Sequence, residues 1–542
     1  TAVCVIIFAL EVFEALTVGF ELEKFIDAFM SSISLAISAV PEGLPAIVTI
    51  SLALGAREFA RRNAIIRKLS SAESLGATTI ICSDKTGTLT KGEMTIRKLY
   101  CNGKITEVTG VGYEPKGEFH QSTSSINPKN DNDLSLLLRI GALCNNARLD
   151  KANNTWSIFG DPTEGALIVA AAKAGFEQKE LEHKYPRKNE IPFTSERKRM
   201  TTVHSTPEGE QVAYMKGAPE VVLERCAHAL KNGEVKKLSL KDKEEILKVN
   251  ENLASDALRI LAMAYKKLPS DAGRLEEEKI ERDLVFVGLE GMIDPPREEA
   301  TKANQVCQQA GIKAVMITGD HKLTAVAVAK EIGILRENSI VLTSAELDKM
   351  SDEEFKKIVD DVAVYARVSP EHKLRIVNAL KDKGHIVAMT GDGVNDAPAV
   401  KSADVGVSMG ISGTDVTREA SDLVLTDDNF ATIVKAVEEG RVIYDNIRKY
   451  ARFLLACNFD EVLVIGLFAI LGGIFGPTVF PLPLLPSMIL WINLVTDGAP
   501  AVSLATDPPD EDVMERKPRK PDEGILHGMG AFIIASFILQ SI

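Results

Sequence analysis

The residues with the clearest chemical potential form the run Ser83–Thr90, which reads SDKTGTLT. This run follows Thr78–Cys82, an apolar and β-branched stretch typical of a buried strand, so Asp84 is predicted at a strand's carboxyl end. Ligands of open α/β sheets bind at that edge, and Gly87 allows the turn to close its N–H groups around a phosphate. We therefore predict that Asp84 is a nucleophile that becomes an aspartyl-phosphate. The alternative, an aspartate that only caps a helix, does not account for the rest of the run.

Other predicted strand ends carry residues that suit the same chemistry. Thr318, Gly319 and Asp320 follow an apolar run and offer a hydroxyl and backbone N–H groups to phosphoryl oxygens. Lys373, alone, would be read as a solvated surface lysine, but in this set it can neutralise charge that develops on the phosphate. These residues are therefore predicted to lie around Asp84.

A further strand end, in the run TGDGVNDA, carries Asp392 and Asp396. Carboxylates of this kind suit Mg²⁺, which takes few protein ligands and keeps several waters. The sequence therefore predicts a magnesium site beside the phosphate site.

Long apolar stretches are confined to residues 1–56 and 453–542, whereas the middle of the 542-residue chain has the composition of a soluble protein. The stretch 25–56 contains the sequence PEGLP, which cannot continue an α-helix, so carbonyl groups of Ile37, Ser38 and Val40 should lose their helical partners. Glu42, in that break, is predicted mid-membrane, where an ionised side chain costs about 2.5–3.5 kcal/mol. Such a cost makes Glu42 a candidate for function.

The later apolar stretches 453–475 and 484–504 are predicted to form a hairpin of membrane spans, and another span begins near residue 529. Their polar residues are Asn458, Asp460, Glu461, Asn493, Thr496 and Asp497. Together with the freed carbonyl groups they offer only oxygen ligands, a set that fits Ca²⁺ better than a soft metal. The alternative is that these residues only hold helices together.

Basic residues flank the predicted spans and indicate their orientation. The clusters are Arg57, Arg61, Arg62, Arg67 and Lys68; Arg441, Arg448, Lys449 and Arg452; and Arg516, Lys517, Arg519 and Lys520. By the positive-inside rule all three lie on the cytosolic side, so residues 57–452 should form one cytosolic body. The first residues do not have the pattern of a signal peptide. Both ends of the sequence lie within apolar runs, so we expect the chain to be part of a longer polypeptide.

Net charge and cysteine content exclude two classes of protein. The formal net charge of −13 argues against a nucleic-acid binder, which needs a cationic surface. The seven cysteines are scattered without a CxxC pair, so no disulfide framework is predicted and the soluble part should face a reducing cytosol.

Strand-like runs alternate with helical stretches in the cytosolic body, which is the βαβ pattern of a parallel sheet. The predicted strands of this sheet are 284–289, 313–317, 362–366, 385–389 and 405–407, in addition to the strand that precedes Asp84. Residues between about 95 and 285 would then be an insertion.

The run DKTGTLT resembles the phosphorylation signature of the P-type ion-pumping ATPases, and the resemblance covers almost the whole chain. The sequence KGAPE, which begins at Lys216, resembles a motif of that family's ATP-binding domain, and Phe193 resembles the ring that stacks on adenine there. The strand-end motifs are similar to those of haloacid-dehalogenase-like phosphotransferases. The resemblance implies a multidomain membrane protein, with an α-helical transmembrane bundle, a haloacid-dehalogenase-like (Rossmann-like) α/β phosphorylation domain and an inserted α+β nucleotide-binding domain.

The resemblance also implies domain bounds. They are transmembrane helices in 1–56, a phosphorylation domain from 57–94 and 286–452, a nucleotide-binding domain in 95–285, a transmembrane hairpin in 453–505, a cytosolic loop in 506–527, and the start of another membrane helix in 528–542.

Carried over residue by residue, the resemblance implies four sets of site residues. The catalytic set is Asp84, Thr86, Thr318, Gly319, Asp320 and Lys373. The nucleotide set is Glu164, Phe193, Lys198, Lys216, Gly217, Arg259, Thr318, Gly319, Asp320, Arg367, Lys373 and Asn395. The Mg²⁺ set is Asp84, Thr86, Asp392 and Asp396. The set for the transported cation is Ile37, Ser38, Val40, Glu42, Asn458, Glu461, Asn493, Thr496 and Asp497.

The form PEGLP resembles calcium pumps of sarcoplasmic-reticulum type, which implies ATP-driven Ca²⁺ transport across a lipid bilayer, with Na⁺ or Mn²⁺ as alternative ions. Three positions depart from the related patterns. Thr86 replaces an aspartate of the related phosphatases, which disfavours a phosphatase; Ser195 replaces an arginine near the adenine; and Asp460 replaces a small residue, which leaves the number of counter-transported protons open. The family's Thr-Gly-Glu loop does not occur in this sequence, so its actuator domain and further membrane helices are expected elsewhere in the polypeptide.

Overall fold

The computed structural model describes residues 9, 22–41, 43–122, 124–152, 155–269, 277–476, 479–520 and 523–540. Its first helices are α1 (Leu22–Ser38) and α2 (Leu44–Arg61). The predicted break at PEGLP is confirmed, because the helix ends before Pro41 and Pro45 lies in the first turn of α2, where a missing N–H costs little. Glu42 lies outside the described residues, as does most of the predicted first span.

The elements that follow α2 are, in chain order, β1 (Ala64–Ile66), α3 (Ser71–Gly76), β2 (Ile80–Asp84), β3 (Thr95–Cys101), β4 (Lys104–Val108), β5 (Phe119–Gln121), β6 (Ser124–Ile126), α4 (Asn132–Leu143), β7 (Arg148–Ala152), β8 (Thr155–Phe159), α5 (Pro162–Lys173), α6 (Gln178–Lys184), β9 (Arg187–Ile191), β10 (Arg199–Ser205), β11 (Gln211–Gly217), α7 (Pro219–Arg225), β12 (Cys226–Lys231), β13 (Glu234–Lys237), α8 (Leu240–Ser255), β14 (Arg259–Leu268), α9 (Glu277–Ile280) and β15 (Leu284–Ile293).

The remaining elements are α10 (Glu298–Gln309), β16 (Lys313–Thr318), α11 (Lys322–Ile332), β17 (Ile340–Thr343), α12 (Ser344–Leu347), α13 (Asp352–Ile358), β18 (Val362–Ala366), α14 (Pro370–Asp382), β19 (Val387–Gly391), α15 (Ala397–Ser402), β20 (Val405–Met409), α16 (Asp415–Ala420), β21 (Leu423–Leu425), α17 (Phe430–Phe475), α18 (Pro486–Trp491), α19 (Gly498–Leu504) and α20 (Gly530–Gln540).

Within the described residues, eight strands form one sheet in the order β1-β21-β20-β19-β2-β16-β18-β17. All neighbours run parallel except β1, which is antiparallel to β21. The predicted strands 313–317, 362–366, 385–389 and 405–407 are confirmed in this sheet, with ends shifted by up to two residues. The strand that carries Asp84, β2, lies between β16 and β19, near the middle of the sheet.

Helices cover both faces of the parallel sheet, and alternate residues of β2 divide between two apolar cores. Ile81 packs on one face with residues of α10, α11 and the first part of α17. Ile80 and Cys82 pack on the other face with residues of α13, α14 and α15. A parallel strand with both faces buried is continuously apolar, which is why this strand could be recognised in the sequence.

The insertion forms a second, mostly antiparallel sheet, in the order β6-β5-β4-β3-β15-β14-β11-β10-β9 with β12 and β13 at its side. The assignment of 284–289 to the parallel sheet is wrong, because β15 pairs antiparallel with β14 and β3. The insertion's sheet therefore extends to Ile293 instead of ending at residue 285. The apolar run of β15 is buried on both faces, and such a run has the same sequence pattern in either kind of sheet.

The helix α17 runs without a break over 46 residues, from the side of the parallel sheet to the predicted membrane span. The sequence placed a domain boundary between residues 452 and 453, but the backbone has no boundary there. At 1.5 Å per residue, such a helix is about 70 Å long. Its two ends therefore belong to different regions of the protein.

Close contacts fix α17 against α3 at the base of the parallel sheet. A Cβ atom at Gly440 would lie 2.6 Å from the backbone N of Gly76, and one at Gly76 would lie 2.6 Å from the carbonyl group of Gly440. Only two glycines allow the helix backbones to approach so closely.

Two helical stretches in the described part of the chain, Phe430–Gly472 and Pro486–Leu504, are long and apolar enough to cross a membrane. The second contains a π-helical turn, Ile492–Thr496, between α18 and α19. Near these helices Leu35, Ile465 and Ile489 form a small apolar core that joins α1, α17 and α18.

Candidate phosphorylation, nucleotide and cation sites

Asp84 ends β2 at the carboxyl edge of the parallel sheet, and its neighbours end at the same edge. Thr318 is the last residue of β16, and Gly391 is the last residue of β19. The backbone N–H of Asp84 donates to Thr390 Oγ1 at 2.8 Å, which fixes the strand end. The predicted grouping of these strand ends at one edge of the sheet is therefore present.

Lys373 brings two carboxylates of this edge together. Its Nζ donates to Asp84 Oδ2 at 2.6 Å and to Asp396 Oδ1 at 2.7 Å, and the lysine is 7% exposed. Burial lowers the pKa of Lys373, but the attraction of Asp84 and Asp396 outweighs burial, so the pKa lies above its usual value. A charged ammonium is thus held beside the candidate nucleophile.

Asp392 is the carboxylate of this site that has no hydrogen bond from Lys373, which donates to Asp84 and Asp396. Burial raises its pKa, Asp84 and Asp396 raise it further, and Lys373 offsets only part of the effect. Because one ammonium faces three carboxylates, a divalent cation would relieve the surplus negative charge.

The donor set therefore fits Mg²⁺ in charge and in atom type. Across the described ranges, no group of three or more histidine, cysteine, aspartate or glutamate side chains is gathered closely enough to hold a metal ion by itself. Phosphate oxygens and water would have to complete the coordination, as Mg²⁺ prefers.

The loop that follows Asp84 is tied to the strand end of β16. Gly87 has a φ of +76°, a backbone conformation that glycine adopts without strain, and open space surrounds the position of its absent Cβ. Lys85, 4% exposed, forms an ion pair with Asp320. The loop thus leaves open space at Gly87, three residues after Asp84.

Sequence reasoning missed Asp294 and Arg297, which hold the same loop. Asp294 Oδ2 accepts from Thr90 Oγ1 at 2.5 Å, and burial raises its pKa although Thr90 and Lys85 partly offset that effect. Arg297 donates to the carbonyl oxygen of Gly87 at 3.0 Å. The signal was present, because Asp294-Pro295-Pro296-Arg297 follows an apolar strand as Asp84 does.

The residues predicted to hold phosphoryl oxygens lie at the end of β16. The N–H of Asp320 donates to Thr318 Oγ1 at 3.1 Å, and the carbonyl oxygen of Asp320 accepts from the N–H of Arg367 at 3.0 Å. Gly319 is exposed, with no atom within 4 Å of the position a Cβ would take. The side chains of Thr86, Arg367 and Asn395 are exposed.

In the insertion, Lys216 and Glu164 form a nearly buried ion pair. Lys216 Nζ donates to Glu164 Oε1 at 2.6 Å, and Glu164 Oε2 accepts from the N–H of Asn146 at 3.0 Å. Glu164 lies in the first turn of α5, whose N-terminus is capped by Asp161 through the N–H of Thr163 at 2.7 Å. Two predicted nucleotide residues are thus in contact, although they are far apart in the chain.

The other predicted nucleotide residues lie around or beyond this pair. A Cβ on Gly217 would lie 2.6 Å from the carbonyl oxygen of Lys198, so no larger residue fits there. Arg259 donates to Thr163 Oγ1 at 3.2 Å. Phe193 is 59% exposed and therefore belongs to the surface instead of the core, which suits a ring that stacks on a base.

The break in the first helix hairpin leaves fewer free carbonyl groups than predicted. The carbonyl oxygen of Ile37 accepts from the N–H of Val40 at 3.2 Å, and that of Ser38 accepts from Asn458 Nδ2 at 2.8 Å. The carbonyl group of Ile37 loses its helical partner, because Pro41 has no N–H, and a tight turn supplies another donor. The carbonyl group of Ser38 accepts from an amide of α17. The contact between Ser38 and Asn458 joins two predicted cation residues.

Glu461 of α17 meets Asn493 of the π-helical turn. With its amide nitrogen facing the carboxylate, Asn493 donates to both Oε atoms of Glu461 at 3.2 Å. Asp497, 7% exposed, follows in the chain, and its N–H donates to the carbonyl oxygen of Ile492 at 2.9 Å. The side chain of Thr496 is exposed.

Three carboxylate oxygens near this contact have no hydrogen-bond partner among the described residues. Among the described residues, Asp497 Oδ2 and both carboxylate oxygens of Asp460, which is 6% exposed, are buried without a hydrogen bond. An unpaired carboxylate in an apolar environment is costly unless a proton or a cation compensates it.

Comparison with known proteins matches this chain to one family. Residues 133–299 match the model described as "P-type ATPase, cytoplasmic domain N", and residues 481–542 match "Cation transporting ATPase, C-terminus". The chain belongs to the cation-transporting P-type ATPase family.

Curated relatives extend the similarity over most of the chain. The chain is 50% identical to a calcium-transporting ATPase of Bacillus subtilis over 92% of this chain and 55% of the relative. It is 46% identical to calcium-transporting ATPase 1 of Bacillus cereus, over 98% of this chain and 56% of the relative. A cation-transporting ATPase of Synechocystis is 45% identical over 92% of this chain and 55% of the relative. The chain thus spans about half the length of the curated relatives that it matches.

Proposed function

We propose that this chain is the ATP-hydrolysing and cation-binding part of an ATP-driven calcium pump in a membrane. The observation that carries the proposal is the contact of Lys373 with Asp84 and Asp396 at the edge of the parallel sheet. A nucleophile, a fixed positive charge and a surplus of carboxylates for Mg²⁺ are the parts that phosphoryl transfer needs.

In the phosphorylation step, a carboxylate oxygen of Asp84 attacks the γ-phosphorus of ATP. A bond forms between that oxygen and phosphorus, the bond to the β–γ bridging oxygen breaks, and ADP leaves with the electron pair. Lys373 stabilises the negative charge on the phosphoryl oxygens, and the hydroxyl of Thr318 and the N–H groups near Gly319 bind them. Mg²⁺, held by Asp84, Thr86, Asp392 and Asp396, would neutralise charge on the phosphates.

We further propose that the insertion binds the nucleotide of ATP. Phe193 would stack on adenine, Gly217 would allow close approach of the base, and Lys198, Lys216 and Arg259 would bind its polar groups. The contact between Lys216 and Glu164 supports this site, because it brings together two residues predicted to bind the nucleotide, and the exposed ring of Phe193 is accessible to a base.

The proposed cation site lies where α1, α17 and the π-helical turn meet. The contacts of Asn458 with Ser38 and of Asn493 with Glu461 support it. Divalent charge offsets several buried carboxylates better than monovalent charge does, so Ca²⁺ is proposed ahead of Na⁺, with Mn²⁺ as the divalent alternative. Several relatives are named calcium-transporting ATPases, which favours the same ion.

The helix α17 offers a physical link between the two sites. Arg441 of this helix donates to the carbonyl oxygen of Ala310, at the end of α10, at 3.1 Å and to that of Val513, in the loop after α19, at 2.9 Å. The same helix carries Asn458 and Glu461. A shift of α17 would therefore change contacts both at the parallel sheet and at the proposed cation site.

The test uses the full-length protein that contains this chain, in membranes, with γ-labelled ATP. A label that is stable in acid and removed by hydroxylamine is expected in the wild type and absent in Asp84→Asn, while Asp415→Asn, changed at a residue with a 92% exposed side chain, should keep it. Persistent label in Asp84→Asn would refute the assignment of the nucleophile.

The ion is tested by ATP-dependent uptake into vesicles, with Ca²⁺, Mn²⁺ or Na⁺ supplied singly. Uptake of Ca²⁺ is expected. Uptake of Na⁺ alone would reject the calcium assignment but leave the pump, and rapid ATP-independent hydrolysis of phosphate esters without uptake would favour a phosphatase.

A further inference from the structure

Glu290 lies in the interior of the insertion and has no role in the site described above. It is fully buried on β15, and neither of its carboxylate oxygens has a hydrogen-bond partner in the part of the chain that the structure describes. The residues paired with it across the sheet are Leu99 of β3 and Leu261 of β14. A charged carboxylate in such surroundings would be very costly.

The neighbouring helix α4 leaves space for this carboxyl group. A Cβ on Gly141 would lie 2.8 Å from Glu290 Oε1 and 3.4 Å from Leu167 Cβ. A glycine inside a helix lowers helix stability by about 1 kcal/mol relative to alanine. At Gly141 this loss of stability provides the space that the carboxyl group occupies. The position of Glu290 is therefore matched by its surroundings.

Glu290 is connected to the proposed nucleotide site. Asn145 Nδ2 donates to the carbonyl oxygen of Gly141 at 2.9 Å and to that of Glu164 at 2.8 Å, which ties the helix above Glu290 to the partner of Lys216. The positive charge of Lys216 acts on Glu290, and the same ammonium donates to Glu164 Oε1 at 2.6 Å. Glu290 is faced by Leu99 of β3, Leu261 of β14 and Gly141 of α4. Leu167 of α5 lies beside Gly141.

The protonation state of Glu290 follows from this environment. Burial raises the pKa of Glu290 to about 8, and the positive charge of Lys216 offsets only part of the increase. The group is therefore a neutral acid at neutral pH and becomes a carboxylate in mildly alkaline solution.

We propose that Glu290 is a positioning residue of the nucleotide site. When Glu290 is neutral, the Lys216 ammonium can contact the nucleotide, and when Glu290 is ionised, it draws that ammonium towards the sheet. The inference rests on the proposed binding of nucleotide at Lys216. Since ligand and proton then favour the same state, nucleotide binding must increase the proton affinity of Glu290 to the same extent that protonation increases nucleotide affinity.

The first experiment measures ADP binding to the full chain by calorimetry between about pH 7 and pH 9, a range chosen around the pKa of Glu290. Wild-type affinity should fall about five- to tenfold over this range, a coupling of ordinary size, and Glu290→Gln should remove the fall while matching the wild type near pH 7. Lys173, whose pKa burial lowers to about 8, titrates in the same range, so the result is the difference between the two proteins. Glu234→Gln, changed at a residue with a 72% exposed side chain, should keep the wild-type fall.

The second experiment needs no variant and covers the case in which Glu290→Gln does not fold. Carboxyl carbon resonances of the wild type should show Glu290 titrating near pH 8, with a midpoint that rises when ADP is added. Calorimetry in two buffers of different ionisation enthalpy should show proton uptake on binding near that pH.

The outcomes separate the inference from the proposed function. An equal fall in wild type and Glu290→Gln, or a midpoint that ADP does not move, would overturn the role of Glu290 while nucleotide binding stands. No ADP binding at any pH would instead reject the nucleotide site itself.

Discussion

Buried carboxylates lie in the candidate phosphorylation site around Asp84, the crevice, and at the helix contact around Glu461, but their hydrogen-bond partners differ. Asp396 is 5% exposed and Asp460 is 6% exposed, so burial alone does not distinguish them. Asp396 accepts from Lys373 at 2.7 Å and from the N–H of Gly393 at 3.2 Å. Asp460 has no hydrogen-bond partner among the described residues.

The difference indicates two strategies for buried charge. In the crevice, the protein supplies its own counter-charge through Lys373, so the geometry can exist before a nucleotide arrives, and preorganised charge is what accelerates phosphoryl transfer. Between the helices, the missing charge must come from a proton or a cation, which makes that region responsive to a ligand. The following predictions test this contrast.

Replacement of Lys373 by methionine should have the largest effect. It leaves Asp84 and Asp396 without their counter-charge, which should lower the free energy of unfolding by about 3–5 kcal/mol. Loss of a fixed charge at the phosphoryl group should also reduce phosphoenzyme formation by at least about 100-fold. Thermal unfolding and labelling from γ-labelled ATP measure the two effects, and Lys116→Met, changed at a residue with an 83% exposed side chain, should show neither. Normal labelling of Lys373→Met would contradict the contrast.

The matched pair Asp396→Asn and Asp460→Asn should differ in stability, because only the first variant is expected to be destabilised. Asp396→Asn weakens a bond to a charged group, so the free energy of unfolding should fall by about 1.5–3 kcal/mol. Asp460→Asn removes a buried charge that has no partner, so stability without added cation should stay equal or rise. Thermal unfolding in detergent without Ca²⁺ measures both variants. Equal destabilisation of the two variants would mean that the charge of Asp460 is compensated by a partner, as that of Asp396 is by Lys373.

Asp497→Asn should abolish Ca²⁺-dependent phosphorylation while leaving the fold intact, because one oxygen of Asp497 already lacks a partner. Glu461→Gln should have a smaller effect and lower the amount of bound Ca²⁺ without abolishing binding. Equilibrium binding of radioactive Ca²⁺ to the full-length protein counts the ions directly. Asp512→Asn, on a loop residue with a 58% exposed side chain, serves as the control and should bind as the wild type does.

Asp392→Asn should have the smallest effect on stability, because Asp392 differs from Asp84 and Asp396 in having no hydrogen bond from Lys373. Its pKa is raised by burial and by Asp84 and Asp396, so the folded protein holds this proton more tightly than the unfolded chain does. Wild-type stability should therefore fall, relative to the variant, as pH rises from the usual pKa of an aspartate to the raised value. The variant should also need more Mg²⁺ for phosphorylation. A pH series of unfolding curves that runs parallel for the two proteins would contradict the surplus of negative charge.

Local signals in the sequence predicted much of the crevice. Asp84, Thr318 and Asp392 each follow an apolar run, and parallel strands bring such ends to one edge, so their proximity follows from topology. The same reasoning failed for β15, because a strand buried on both faces does not reveal its neighbours. It also missed Asp294, whose role depends on a hydroxyl and a backbone N–H from another segment.

The sequence by itself determined where the chain could place nucleophile, phosphate ligands and membrane carboxylates, because strand ends, glycine turns and helix breaks are local properties of neighbouring residues. Only the tertiary structure decided which charges are compensated. Lys373 lies 289 positions from Asp84, and Asn458 lies 420 positions from Ser38, so no local pattern encodes either contact. The free energy of a buried charge depends on the atoms within a few ångströms of it, and those atoms come from segments that only the folded chain brings together.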